Sequence, residues 1–234
     1  MFVKDIRERL QQLGDKKRAK NSARYFKTGL GEYGEGDIFL GIRVPQIRKL
    51  ANEYRDIPLK AIETLLGSPI HEERLLALLI IVLLFPKGDA AAQREIYELY
   101  LRNTQFVNNW DLVDLSAQYI VGPFLAARSK KPLYRLAIST NIWERRIAVM
   151  ATFHFIRQKE FLETLKIADM LIADKEDLIH KAVGWMLREI GKRDLHTEEE
   201  FLKSRYKKMP RTMLRYAIEK FPAAKRQRYL RGEI

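Results

Sequence analysis

The 234-residue sequence predicts an all-α protein in which short helices repeat along the chain and build an α-solenoid. Apolar residues recur with helical spacing over most of the chain, whereas the alternation typical of strands is nearly absent. The eight prolines fit the gaps between helices or the first turn of a helix. A degenerate motif recurs every 34 to 36 residues, which is the third indication of this fold class.

The prolines, glycines and capping residues divide the chain into predicted helices. These cover residues 2–13, 16–28, 45–54, 58–67, 70–85, 89–103, 108–122, 132–138, 141–157, 159–173, 177–191, 198–208, 210–220 and 222–230. Asn141 with Glu144 and Thr197 with Glu200 have the spacing of a capping box, which predicts two helix starts. Every proline, Pro123 included, is expected between helices or at a helix start.

Residues 29–41 lack helical periodicity and contain five of the twelve glycines. A glycine-rich loop can cradle a phosphate, but this one lacks the Gly-Lys-Ser/Thr ending of such loops. Its acidic side chains, Glu32, Glu35 and Asp37, would also repel a phosphate. We therefore predict a surface loop, with a small mobile cover for a binding groove as the alternative.

The internal repeat is marked by basic residues at positions 74, 146, 181 and 215, and position 110 completes the series. A period of this length with two helices per repeat is typical of HEAT, armadillo and related solenoids. We expect a single domain over residues 1–234. Equivalent positions of stacked repeats share a surface. We therefore expect a concave basic groove that is lined by Arg74, Trp110, Arg146, Lys181 and Arg215. Asp114 and Trp185 should lie one helical turn further on.

The charge is high and unevenly distributed. The formal net charge is +13, and residues 201–231 contain eleven Lys or Arg but a single acid, Glu219. A block this basic indicates a polyanionic partner, with nucleic acid preferred over an acidic membrane or protein.

The absence of cysteine and of long apolar runs excludes several classes of protein. We expect an intracellular protein with no disulfide, thiol chemistry or membrane span. The four histidines, at positions 71, 154, 180 and 196, show no ligand spacing. No metal and no cofactor are therefore expected.

The stretch from Trp110 to Asp114 contains the strongest candidate for chemistry. In a helix these two residues share one face, which places an indole beside a carboxylate. Such a pair suits a cationic ligand or a cation that develops during a reaction. A buried tryptophan next to a solvated aspartate is the alternative reading.

Several motifs together resemble the bacterial AlkD-type alkylpurine DNA glycosylases, which are built from HEAT-like repeats. The resemblance covers most of the chain. Its carriers are Ala23-Arg24-Tyr25, Phe39-Leu40-Gly41-Ile42 with Pro45, Trp110-Asp111-Leu112-Val113-Asp114, Asn141-Ile142-Trp143 through Arg146, and Lys181-Ala182-Val183-Gly184-Trp185-Met186-Leu187-Arg188-Glu189.

The resemblance implies hydrolysis of the N-glycosidic bond of N3- or N7-alkylated purines in duplex DNA, without extrusion of the base into a pocket. It implies that Asp114 is the catalytic carboxylate and that Trp110 and Trp185 are aromatic walls beside the damaged nucleotide. Arg146 is then a backbone-phosphate contact, and Tyr25 is a neighbouring aromatic residue of the nucleotide cleft.

The surroundings of Trp185 add two further candidates for DNA contact, because Lys181 and Arg188 flank it on the same helix face. The expected protein is a monomer that acts on DNA at the nucleoid in a bacterial cytoplasm. A non-catalytic DNA-structure-binding HEAT-repeat protein is the alternative, and a protein-binding helical scaffold is a third hypothesis.

Overall fold

The computed structural model describes residues 2–234, and this part of the chain is all-helical, as predicted. No strand forms within it, and Ile38 and Ile70 form an isolated parallel bridge. None of its helices combines the length and the hydropathy that crossing a bilayer requires. The chain divides into two compact units, Met1–Ser116 (the first unit) and Ala117–Ile234 (the second unit). The single domain over residues 1–234 stays a prediction.

The first unit is built around the helix α5 (His71–Leu84), which is apolar on all sides from Leu75 onward. Its helices are α1 (Phe2–Leu13), α2 (Lys16–Tyr25), α3 (Val44–Glu53), α4 (Leu59–Leu66), α5 (His71–Leu84), α6 (Ala90–Arg102) and α7 (Trp110–Asp114), with 3-10 turns at Phe85–Lys87 and Thr104–Phe106. Residues 71–81 of α5 are all buried. A helix that is hydrophobic all round belongs in a core, and α5 packs against α1, α3 and α4.

The second unit is built around α13 (Asp177–Gly191), the longest helix among residues 2–234. Its helices are α8 (Ala117–Leu125), α9 (Lys131–Ala137), α10 (Ile142–Ala151), α11 (Phe153–Arg157), α12 (Leu162–Met170), α13 (Asp177–Gly191), α14 (Leu195–Lys203), α15 (Arg211–Ala217) and α16 (Ala223–Arg231), with a 3-10 turn at Ile218–Lys220. The α13 helix packs against α10, α12, α14 and α15.

The predicted period corresponds to a shared helical register in the second unit. Arg146, Lys181 and Arg215 are each the fifth residue of their helices, α10, α13 and α15. The α13 helix packs between the other two. The spacings of 35 and 34 residues between these positions therefore describe structural equivalence in this unit.

Two helices that the sequence predicts as continuous are broken by hydroxyl side chains. The predicted helix over 108–122 ends at Asp114 and resumes at Ala117, and the one over 141–157 is interrupted at Thr152. The Ser116 Oγ donates to the Leu112 carbonyl at 2.5 Å, and the Thr152 Oγ1 donates to the Val149 carbonyl at 2.7 Å. Such local bonds compete with the helical ladder, which explains both breaks.

One predicted helix cap is confirmed and one is wrong. Asn141 caps α10, since its side chain accepts a hydrogen bond from the Trp143 N–H. Thr197 does not begin a helix, because α14 starts earlier and Asp194 caps it by accepting from the Thr197 N–H at 3.0 Å. The expected position of Pro123 is also wrong, since it lies inside α8. Pro123 has no N–H, so the helical hydrogen bond to the carbonyl of residue 119 is missing, and the helix ends two residues after the proline.

The segment 29–41 forms no helix, in agreement with the predicted loop. Its first part is solvent-exposed, with Leu30 94% exposed, whereas its end is attached to α5. The buried Glu72 carboxylate accepts the N–H groups of Leu40, Gly41 and Ile42 at 2.9, 2.7 and 3.2 Å. Residues 40–42 are therefore not part of a mobile cover, which was the alternative to a surface loop.

Candidate active site

The motif around Trp110 forms a short helix of its own, α7. It begins at Trp110 and ends at Asp114, so these two residues have helical i, i+4 spacing on one element. Asn109 precedes the helix, and its side-chain oxygen accepts a hydrogen bond from the Trp110 N–H at 2.8 Å. Trp110 and Asp114 are both partly exposed, whereas the three residues between them are buried. The helix thus presents both predicted residues at a surface.

The indole of Trp110 belongs to an aromatic cluster in the first unit. It stacks on Phe26, with ring centroids 5.3 Å apart and 22° between the planes. Tyr25, which is 66% exposed, meets it edge-on at 6.0 Å. Phe26 also stacks on Phe39 at 5.1 Å and lies 5.2 Å from the imidazole of His71. These are favoured aromatic geometries, so the cluster restrains the orientation of the indole.

A buried network of charged side chains lies against this cluster. The Nδ1 of His71 lies 3.2 Å from Oδ2 of Asp37, and its Nε2 lies 2.9 Å from Oδ2 of Asp111. Arg74 donates from Nη2 to Oδ1 of Asp37 at 2.7 Å and from Nη1 to the Ser68 carbonyl at 2.8 Å. The network therefore connects the loop before α3 to both α5 and α7.

The network holds His71 in its charged form. Burial alone would lower the pKa of His71, but the hydrogen bond and charge of Asp111, together with the hydrogen bond to Asp37, raise it to about 9. For Asp37, burial acts to raise the pKa, yet the bonds and charges of His71 and Arg74 lower it. At neutral pH the imidazolium donates from both ring nitrogens and so bridges the two carboxylates.

The predicted surface row of repeat residues is wrong at Arg74. This side chain is 3% exposed and forms a buried ion pair with Asp37, so it belongs to the core of the first unit. The physical reason is that α5 lies in the core over its whole first turn, where each charge needs a buried partner.

The carboxylate of Asp114 lies in a region that also contains a buried hydroxyl. The hydroxyl of Tyr100 lies 2.9 Å from the Oγ of Ser116. Burial raises the pKa of Tyr100, and the charge of Asp114 adds to that rise. Asp114 therefore acts electrostatically on the protein's interior while part of its surface remains accessible to solvent.

In the second unit, Trp185 is positioned by Glu189 and Phe153. The indole Nε1 donates to Oε1 of Glu189 at 3.3 Å, and the Phe153 ring lies 6.1 Å from the indole. Burial acts to raise the pKa of Glu189, but hydrogen bonds from Lys192 and Arg193 lower it. Trp185 thus has an oriented, partly exposed ring next to a cluster of basic side chains.

The predicted DNA contacts of the second unit all have protein partners. Arg146 is 5% exposed and donates from Nη1 to a backbone carbonyl of α13 at 2.5 Å. Lys181 pairs with Asp177 at 2.7 Å, and Arg188 forms an ion pair with Glu219. Their assignment to phosphates stays a prediction, and a phosphate would have to compete with these partners.

Sequence reasoning missed His71, Asp37, Asp111 and Phe26. A signal for His71 was present, because polar residues directly precede the apolar run 75–85 in one helix. When a helix is apolar all round, the polar residues of its first turn are also drawn into the core and need buried partners. No sequence spacing identified Asp37 as that partner, since it comes from the glycine-rich loop.

The site has the chemistry of an aromatic surface beside an anion. Among residues 2–234 no group of three or more His, Asp or Glu side chains is arranged to hold a metal ion. What the first unit offers is an oriented indole face, the exposed ring of Tyr25 and the carboxylate of Asp114. The negative π-faces and the carboxylate favour a positive charge.

Comparison with known proteins identifies the family and similar folds. The family model described as DNA alkylation repair enzyme matches residues 6–221. A predicted DNA alkylation repair enzyme from Enterococcus faecalis has a similar fold, with a TM-score of 0.69 at 18% identity over 90% of this chain and 97% of that chain. AlkD2 from Streptococcus mutans matches with a TM-score of 0.56 at 18% identity over 89% of this chain and 99% of that one. No curated protein matches.

The solved structures are similar in fold, but their sequence identity to this chain is low. The assignment to a family therefore comes from the family model, which spans nearly the whole of both units. A role in DNA repair, with DNA as the substrate, follows from this membership. On this evidence the chain belongs to the DNA alkylation repair enzyme family.

Proposed function

We propose that this protein is a DNA glycosylase that hydrolyses the N-glycosidic bond of N3- and N7-alkylated purines in duplex DNA. The observation that carries the proposal is the presence of Trp110 and Asp114 at the two ends of one short helix, both partly exposed. The aromatic contacts of Trp110 add support, because they orient a π-face before any ligand binds.

The chemistry of the lesion explains why one carboxylate suffices. Alkylation at N3 or N7 leaves the purine positively charged, so it can depart without the general acid that an ordinary glycosidase needs. When the bond to C1′ breaks, its electron pair goes to the purine, which becomes neutral. A positive charge then develops on the deoxyribose.

Asp114 stabilises this sugar cation and orients the water that attacks C1′. The water oxygen bonds to C1′, and its proton passes through the carboxylate to solvent. Trp110 and Tyr25 hold the sugar and the cationic base by their π-faces, each contact contributing about 0.5–2 kcal/mol. In the second unit we assign Trp185 to the damaged nucleotide and Arg146, Lys181 and Arg188 to backbone phosphates.

The proposal includes excision without extrusion of the base, recognition through the backbone, and action as a monomer at the bacterial nucleoid. Phosphate contacts position a duplex rather than specify its sequence, and they make binding fall steeply with salt. Such a mode of recognition should tolerate bulky adducts. That tolerance can be measured with duplexes that carry larger N7 adducts.

The test is the Asp114→Asn variant, incubated with methylated duplex DNA. We expect release of 7-methylguanine and 3-methyladenine, measured by mass spectrometry, to fall on the order of 10²–10³-fold while duplex binding is kept. Asp56→Asn is the matched control, since the Asp56 side chain is 87% exposed in the same unit. Unchanged release by Asp114→Asn would reject the assignment. Wild-type protein that binds DNA but releases nothing would favour the non-catalytic DNA-binding alternative.

A further inference from the structure

Aromatic rings and guanidinium groups alternate on the second unit beside Trp185. The ring of Phe153 lies 6.1 Å from the indole. The Arg157 guanidinium carbon lies 4.3 Å from the Phe153 centroid and 5.4 Å from that of Tyr119. Arg193 approaches the same Phe153 ring at 5.8 Å. Basic groups interleaved with aromatic rings are typical of nucleic-acid-binding surfaces.

Arg157 is held in place although it is exposed to solvent. The faces of Phe153 and Tyr119 restrain its guanidinium plane, and its Nη2 donates a hydrogen bond to Oε1 of Gln118. A long side chain ordinarily loses rotamer entropy when it binds a ligand, and these contacts reduce that loss in advance. The N–H groups of Nε and Nη1 form no hydrogen bond with the described chain.

Arg157 differs from its neighbours because it has no acidic partner. Within residues 2–234 no carboxylate forms an ion pair with it, whereas Arg193 pairs with Glu189 at 3.0 Å. Arg205 provides the closest comparison. Its guanidinium stacks on Phe201 at 4.4 Å in the same manner, but Asp169 neutralises it at 2.6 Å.

We propose that Arg157 binds a phosphate of the DNA backbone. A planar guanidinium with two adjacent N–H edges available matches the geometry of a phosphate oxygen pair, and its charge is not already neutralised. The contact through Phe153 places this phosphate site next to Trp185. The inference rests on the proposed function and adds a DNA contact to it that the repeat pattern did not mark.

The experiment measures binding of fluorescein-labelled, undamaged duplex DNA by anisotropy between 50 and 200 mM salt. Each phosphate contact contributes a slope of about 0.9 in log K against log salt, so the loss of affinity over this range should be about 3.5-fold smaller in Arg157→Gln than in the wild type. Arg157→Lys should keep the wild-type slope because it keeps the charge. Arg102→Gln should keep both the slope and the affinity, because Glu63 already pairs with this guanidinium at 3.2 Å and Arg102 lies outside the basic block of residues 201–231.

A wild-type slope in Arg157→Gln would overturn the inference. Release of 7-methylguanine, measured on the same preparations, separates this result from a failure of the proposed function. A protein that excises the base but shows no Arg157-dependent slope contradicts the phosphate site alone. A protein with the Arg157-dependent slope and no excision contradicts the glycosylase and supports the phosphate site.

Discussion

The Nε2 of His71 and the Oδ2 of Asp111 are 2.9 Å apart in the interior of the first unit. Asp111 directly follows Trp110, so the bond ties the start of α7 to α5. The same imidazole stacks on Phe39 at 4.5 Å, and Phe39 stacks on Phe26. The orientation of Trp110 therefore depends on a buried charge pair as well as on its own aromatic contacts.

Replacing His71 by Gln should destabilise the protein in a pH-dependent way. The variant leaves two carboxylates without their shared cation, which costs about 3 kcal/mol for a buried pair. The folded-state pKa of His71 is raised from 6.5 to about 9, so its stabilisation is fully present below pH 6.5 and is lost as the pH rises through 9. Urea unfolding from pH 6 to 10 should show a larger decline in the wild type than in the variant.

The control for this measurement is His196→Gln, since the His196 side chain is 78% exposed and pairs with Glu200 on its own helix. It should unfold like the wild type at each pH. A decline of equal size in wild type and His71→Gln would contradict the role given to the buried imidazolium.

The sequence was sufficient for features that depend on local periodicity. Most helices and the cap at Asn141 follow from residue spacing and capping preference, whereas the helix predicted from residue 108 begins at Trp110. The breaks at Ser116 and Thr152 were not predicted, because a hydroxyl can point to solvent or back to a carbonyl, and spacing does not distinguish these cases.

The parts of the site that the sequence did not reveal depend on long-range pairing. Asp37 meets His71 and Arg74 across more than 30 residues. The repeat pattern placed Arg74 at a surface, and this prediction is wrong because the side chain is buried. A period identifies which residues correspond, whereas exposure depends on how much apolar surface covers each repeat.

Replacing Gly184 by Ala should loosen the packing of the helix that carries Trp185. A Cβ at this position would lie 2.4 Å from the Met213 carbonyl oxygen and 2.5 Å from the Cβ of Tyr216. These contacts force α13 and α15 apart, at a cost of about 1–3 kcal/mol. A fall in Tm of several degrees is expected in thermal unfolding.

Gly67→Ala is the matched glycine control. Its added Cβ would meet nothing closer than the Glu63 carbonyl oxygen at 3.7 Å. With no new strain, the substitution should be neutral or slightly stabilising, because it reduces the entropy of the unfolded chain. Equal Tm values for the two variants would show that α13 and α15 can move apart without loss of stability.

Glu198 is a buried acid that lacks the partners that Asp37 and Asp111 have. It is 2% exposed, its Oε1 has no hydrogen-bond partner among the described residues, and its other oxygen packs against Gly191. Burial and the charge of Glu199 raise its pKa from 4.5 to about 8, although Arg188 opposes the rise. Between pH 4.5 and 8 the folded protein therefore keeps a proton on the Glu198 carboxyl that the unfolded chain releases.

Replacing Glu198 by Gln should therefore stabilise the protein at alkaline pH. Between pH 4.5 and 8 the folded state binds more protons than the unfolded state, so wild-type stability falls as the pH rises. Above pH 8 the wild type must keep a buried carboxylate, and the variant should be more stable on the order of 1–3 kcal/mol. Urea unfolding at pH 5, 7 and 9 measures the difference, with Glu200→Gln as the control because that side chain is 62% exposed on the same helix. Parallel pH profiles for wild type and Glu198→Gln would mean that this acid is not held protonated by the fold.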